Sequence, residues 1–236
     1  MIKTLLSGIF LKIKKNKSIY IDNRREFIPT INIQKQWYGN DYGGFFVASD
    51  YVDVNSVVYS IGIGEDISFD TALHEEFGCD IFMYDPTPKS IQWVAAQQLS
   101  PSYHFFELGI SNKTGTLDFY LPKNKNYVSG SLLIQDNVSQ EDKVTVSVNT
   151  LKDAMKTNDH TFIDVLKMDI EGAEYDVIDN ILGLKMPIRQ ILVEFHSRFY
   201  SNGINMTTDT IKKMAHHGYQ LFAISDSLEE ASFIKT

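Results

Sequence analysis

The chain has 236 residues, 43% of them hydrophobic, with a formal net charge of -8. That length builds one sizeable domain with an ample core and leaves little room for a second. The acidic balance argues against a chain made to wrap nucleic acid or lie on anionic lipid. A single cysteine, Cys79, excludes an internal disulfide and a cysteine-based metal site.

In chain order, Leu5 to Ile13 is apolar and is followed by Lys14, Lys15 and Lys17. It is too short to span a bilayer, and a secretory signal carries its charge before the apolar run. A short amphipathic helix at the domain edge is expected, with no stable membrane insertion and a reducing, cytoplasmic setting. Residues 1–50 read as a lead-in packing on a main domain of residues 51–236. From Val54 onward short apolar runs alternate with helical periods, the α/β signature. Strands are expected at Val57–Ile61, Ile81–Tyr84 and Tyr103–Leu108. Helices are expected around Phe69 to Phe77 and over Ile91–Gln98. Thr114–Leu121 and Lys143–Val148 are β-prone and flank a polar loop. In the second of these, Val144, Val146 and Val148 alternate with Thr145 and Ser147, as on a half-exposed strand. Leu151 starts a helix, Ile163–Met168 is a strand, Ala173–Leu182 a helix and Ile191–Phe195 a strand. Thr207–His217 reads as a helix capped by Thr207 or Thr208, with closing strands at Tyr219–Ile224 and Ser232–Ile234. The sum is an open, doubly wound Rossmann-like sheet with one polar β/loop insertion. Ligands of such sheets sit outside the carboxyl ends of the strands.

The run YSIGIGEDISFD, residues 59–70, places Gly62 and Gly64 after the first strand. Asp85 follows at the end of the second strand, where nucleotide-binding units hold a ribose hydroxyl. A dinucleotide fingerprint wants a third glycine, and that position is Ile67. Glu65 and Asp66 at the helix entrance repel a diphosphate, although they suit the helix dipole and serve equally as plain caps. S-adenosylmethionine carries a sulfonium and an ammonium and no phosphate, so the two acids suit it better than NAD.

A second constellation lies in LKMDIEGAEYDVI, residues 166–178. Asp169 and Glu171 share a face if the strand extends that far, and Glu174 lies on the same helix face as Val177, Ile178 and Ile181. Such carboxylates bind a hard cation, orient an ammonium or act as a base. His196, ending the next strand, is a further base candidate. His216 and His217, late on a helix, read as structural. No His-x-x-x-His pair or cysteine cluster supports zinc, and no metal site is predicted. A divalent ion bridging Asp169 and nearby acids to a sugar diol stays open as an alternative.

Taken together, VVYSIGIGEDISFD, MYDPTP, LKMDIEGAEYDVI and ILVEFH resemble the FkbM-type methyltransferases over about residues 54–225. The resemblance implies the class I methyltransferase fold, a seven-stranded sheet with a reversed last strand. It implies S-adenosylmethionine as cofactor and O-methylation of a sugar, glycan or small natural product; no nucleic-acid partner is expected, on the acidic balance. Tyr59, Ser60, Gly62, Gly64, Glu65 and Asp66 are then expected in the donor site. Asp85, Pro86, Ile110 and Asp169 join them, and Asp169, Glu171 and His196 are the catalytic candidates. Ser60 stands where many members carry an acid, and Asp85 where many carry Glu. A non-catalytic donor-binding module and an NAD-dependent oxidoreductase remain as alternatives.

Overall fold

A computed structural model describes residues 27–122 and 138–236. The expected N-terminal helix and the polar loop between the two β-prone runs (residues 123–137) lie outside the described residues. The lead-in forms an antiparallel hairpin of Gln36–Tyr38 (β1) and Phe45–Val47 (β2). The α/β alternation follows as Val57–Ile61 (β3), Ser68–Phe77 (α1), Asp80–Tyr84 (β4), Pro88–Ala95 (α2) and Tyr103–Phe106 (β5). Gly109–Ile110 (β6), Gly115–Pro122 (β7) and Val138–Asn149 (β8) make a separate three-stranded sheet. The chain then returns through Leu151–Thr157 (α3), Ile163–Met168 (β9), Glu174–Gly183 (α4) and Ile188–Glu194 (β10). Gly203–His216 (α5), Gln220–Ile224 (β11) and Glu230–Ile234 (β12) complete it.

The large sheet has seven strands in the order β11-β12-β10-β9-β3-β4-β5. β12 runs antiparallel to both neighbours, and the pairs from β10 to β5 are all parallel. This is the class I methyltransferase sheet with its last strand reversed. The central strands are apolar on both faces because layers cover both sides. The two-residue period sorts them: Val58, Ile81, Met83 and Val165 pack toward α1, α2 and the hairpin. Tyr59, Ile61, Phe82, Tyr84, Leu166 and Met168 pack toward α3, α4 and α5. Gln190 ties the hairpin down, its Oε1 accepting from Ala48 N at 2.8 Å and its Nε2 donating to Ala48 O at 3.2 Å. In β8, Val146 and Val148 are buried while Thr145 and Ser147 are exposed, the alternation read from the sequence.

Three expectations need correction. α2 spans Pro88–Ala95 rather than Ile91–Gln98, because Pro88 occupies the first turn, where its fixed φ suits a helix. α5 starts at Gly203, a turn before Thr207. A Cβ at Gly203 would lie 1.9 Å from Ser197 O, so glycine lets the helix begin pressed against the preceding turn. Thr207 and Thr208 are therefore buried inside the helix and cap nothing. β9 stops at Met168, and Glu171 adopts φ +53, so no strand alternation relates it to Asp169.

The sequence runs outward from β3 to β5 and returns to β9 on the other side of β3. The carboxyl ends of β3 and β9 thus meet at the topological switch point, where such sheets bind ligands.

Candidate active site

Gly62 and Gly64 leave β3 with φ +80 and +57, conformations that side-chain-bearing residues adopt at a cost. A Cβ on Gly62 would lie 1.6 Å from Asp169 O. Glycine therefore allows the two strand ends to close, joined by Asp169 N donating to Ile61 O at 2.9 Å. Asp85 fastens the same loop. Its Oδ2 accepts from Ile63 N at 3.0 Å and Gly64 N at 2.9 Å, and its Oδ1 accepts from Thr87 N at 2.9 Å and Thr87 Oγ1 at 2.7 Å. A carboxylate offers about four acceptor positions, so the protein itself occupies the acceptor capacity expected to meet a ribose.

Glu65 pairs with Lys89 at 3.2 Å. Asp66 accepts from Ser68 N at 2.7 Å and from Asn40 Nδ2 at 2.8 Å, tying α1 to the hairpin loop. Lys167 is buried and donates from Nζ to Gly62 O at 2.6 Å. Beside it Asp70, 1% exposed, reaches the loop from α1. Its Oδ1 and the neighbouring Ser60 Oγ are buried without a hydrogen-bond partner among the described residues. Burial pushes the Asp70 carboxyl above its ordinary value, partly offset by the Lys167 charge.

These elements enclose a cavity of about 430 Å³, within the usual size of small-molecule sites. Gly62, Gly64, Glu65, Asp66, Asp85, Pro86, Ile110, Asp169 and Glu171 all line it. Asp70 and Lys167 line it too, as do Asn40 and Tyr42 of the hairpin loop and Phe119, Val146 and Val148 of the small sheet. Tyr59 and Ser60 do not. Tyr59 points into the helix layer, where its hydroxyl meets Asn158 Nδ2 at 2.9 Å and His160 Nδ1 at 3.0 Å. Ser60 lies beneath the floor, against Asp70.

At the Asp169 end stands an acidic cluster around one imidazole. His196 is 1% exposed and donates from Nδ1 to Glu174 Oε1 at 2.5 Å. The same Glu174 oxygen accepts from Gly172 N at 3.0 Å, fixing the turn between β9 and α4. His196 Nε2 faces Asp169 Oδ1 at 3.6 Å, Glu171 Oε2 at 3.5 Å and Glu194 Oε1 at 3.5 Å. Burial works against the imidazolium. The Glu174 charge and hydrogen bond, with Asp169 and Glu194, outweigh it and push His196 up to about 10. Burial first, then the Asp169 charge, pushes Glu194 up to about 8, while His196 and Arg198 pull it down. The pocket behind Asp169 is thus a place that favours positive charge.

Residues 56–221, well over half of the chain, match the family profile described as "Methyltransferase FkbM domain". The chain belongs to the FkbM methyltransferase family. It is 25% identical over 142 residues to the human probable methyltransferase-like protein 24, covering 59% of this chain and 32% of that one. Among solved structures it is similar to methyltransferase FkbM from Methylobacillus flagellatus, at 13% identity and TM-score 0.49, covering 84% of this chain and 48% of that chain. It is also similar to the fibrillarin pre-rRNA processing protein of Methanococcus jannaschii, at 8% identity and TM-score 0.46, covering 78% and 67%. The chain thus spans about a third of the human relative and about half of the bacterial one. Neither structural likeness bears on the site.

Sequence reasoning missed Asp70 and Lys167 within this FkbM domain, and ahead of it the hairpin loop with Asn40 and Tyr42. A signal existed for Lys167, a cation inside an otherwise apolar run, VLKM. Asp70 had none, because an acid in the first turn of a helix is ordinary. The hairpin reaches the cavity only through tertiary packing.

Proposed function

We propose that this chain is an S-adenosylmethionine-dependent O-methyltransferase acting on a hydroxyl of a sugar, glycan or small natural product. The observation that carries this reading is the buried Asp70 carboxyl on the switch-point cavity, whose Oδ1 has no hydrogen-bond partner among the described residues. Buried polar atoms without partners are rare and call for a ligand or water. Asp70 fits an ammonium, and Glu65 and Asp66 on the same wall oppose a diphosphate. When bound, S-adenosylmethionine supplies a methyl group on a sulfonium and leaves as S-adenosylhomocysteine.

Asp70 takes the place of the acid that other members carry at the Ser60 position and receives the donor's ammonium. Gly62 and Gly64 bring the backbone close to the ligand, and Pro86 and Ile110 offer apolar walls to its adenine. Asp85 acts through the loop it clamps. At the far end Asp169, its side chain 31% exposed, adjoins the open part of the cavity and accepts the proton of the attacking hydroxyl. His196, held by Glu174, braces Asp169 from behind as a positioning residue. Most of the acceleration then comes from aligning acceptor and donor.

Calorimetric titration with S-adenosylhomocysteine, with NAD as the comparison, tests the reading. Binding that Asp70→Ala weakens at least tenfold supports it. NAD binding with no response to S-adenosylhomocysteine overturns it.

A further inference from the structure

We propose that Asp169, Glu171 and His196 form a binding site for a divalent first-row transition metal ion at the acceptor end of the cavity. One ligand atom from each lies within 4.8 Å of the others. Asp169 and Glu171 line the cavity; His196 does not line it but is buried against both of them.

The imidazole decides the case. An ionised carboxylate can only accept, so the bond to Glu174 Oε1 places a proton on His196 Nδ1. Nε2 is then a buried nitrogen aimed at Asp169 Oδ1, Glu171 Oε2 and Glu194 Oε1, at 3.6, 3.5 and 3.5 Å. Three carboxylate oxygens around one nitrogen call for a positive centre between them, either a second ring proton or an ion. A proton shared with one carboxylate closes the gap to about 2.7–2.9 Å. An ion with bonds of about 2.1 Å holds neighbouring ligands about 3.0–3.4 Å apart. The observed separations lie much nearer the second spacing.

The outer shell matches as well. A metal-bound histidine commonly donates its other N–H to a carboxylate, which fixes the ring. Glu174, with no exposed surface, does this while also holding Gly172 N. Glu194 Oε1 lies as near Nε2 as the Glu171 oxygen, and it is also paired with Arg198 at 3.4 Å. One imidazole and two carboxylates suit Mn²⁺ or Zn²⁺ better than Ca²⁺ or Mg²⁺, which prefer oxygen throughout.

Three protein ligands leave coordination positions open toward the cavity. Two adjacent oxygens of one acceptor fill them, which narrows the acceptor to a vicinal diol or an α-hydroxy acid. That narrowing rests on the methyl-transfer reading; the ion site does not. Bound there, the ion withdraws charge from a coordinated hydroxyl and makes it more acidic.

The test is an electron paramagnetic resonance titration of chelator-stripped full chain with Mn²⁺, with water-proton relaxation recorded alongside. We expect one Mn²⁺ per chain, enhanced relaxation from water in the open positions, and at least tenfold weaker binding in Glu171→Gln and in Asp169→Asn. Circular dichroism melts confirm that each variant is folded. Absence of binding by both Mn²⁺ and Zn²⁺, or binding that neither variant changes, overturns the proposal. S-adenosylhomocysteine is titrated into the same samples. Donor binding without ion binding removes the metal site and keeps the donor reading; ion binding without donor binding does the reverse.

Discussion

Gly62→Ala probes the seam on which both halves of the site depend. Its Cβ would stand 1.6 Å from Asp169 O, and φ is +80. A Cβ does not approach a backbone oxygen closer than about 3 Å, so the ends of β3 and β9 must part by more than 1 Å. The left-handed conformation costs about 1–2 kcal/mol for alanine. Parting the strands stretches the bond from Asp169 N to Ile61 O, 2.9 Å in the parent, which is worth about 1 kcal/mol. With the conformational cost the sum is about 2–3 kcal/mol, or a melting point lower by about 4–12 °C for a chain of this size. Thermal melts and urea titrations read it, and calorimetry with S-adenosylhomocysteine should show donor binding lost with it. Gly183→Ala is the control: it lies in a helix and is exposed, with nothing within 4 Å of the added carbon. It should gain about 0.5 kcal/mol. A Gly62→Ala protein within about 0.5 kcal/mol of the parent would show that the seam is not closed as described.

Other outcomes follow from the same geometry. Asp70→Asn removes a buried charge whose folded pKa lies above the ordinary 3.8. The stability tied to the protonated form is present below 3.8 and is lost as pH rises through the folded value. The variant should therefore flatten the fall in stability above pH 3.8 and be the more stable protein at neutral pH without donor. It should also bind S-adenosylhomocysteine roughly tenfold or more weakly, since a charge-assisted bond is worth about 1.5–3 kcal/mol; unchanged donor affinity would remove Asp70 from the site. Asp85→Ala leaves Ile63 N, Gly64 N and Thr87 N without their acceptor. It should destabilise by about 2–4 kcal/mol and speed hydrogen exchange at Ile63 and Gly64, whereas a pure ribose contact would leave both amides protected. Gln190→Leu orphans both backbone groups of Ala48. We expect a loss of about 2–4 kcal/mol, seen in urea melts; a loss below about 0.5 kcal/mol would show that the hairpin is not anchored there.

The strands and the order of the motifs were legible in the sequence because they are written in local terms. Ile163–Met168 and Val57–Ile61 are short, mostly apolar runs, broken only by Asp164 and Lys167 and by Ser60, and closed by Asp169 and Gly62, as strands covered on both faces are. The glycine turn was legible for the same reason, since backbone strain is satisfied by a residue type at one position. What each polar group does was decided elsewhere. Asp85 stands where a ribose-holding acid was expected, yet four donors from its own chain surround it. Asp66 looked like a donor-site acid and is held by Asn40 and Ser68. Asp70, unremarked in the sequence, lines the cavity with one buried oxygen that has no hydrogen-bond partner among the described residues. His196 and Glu174 lie 22 residues apart and meet at 2.5 Å because β9 and β10 are parallel neighbours. The sequence by itself determined the fold class and the strand ends at which chemistry gathers, because periodicity and backbone freedom are local properties. Only the tertiary structure decided which carboxylates are spent on the scaffold and which face the cavity. Hydrogen-bond saturation depends on neighbours that chain order does not reveal.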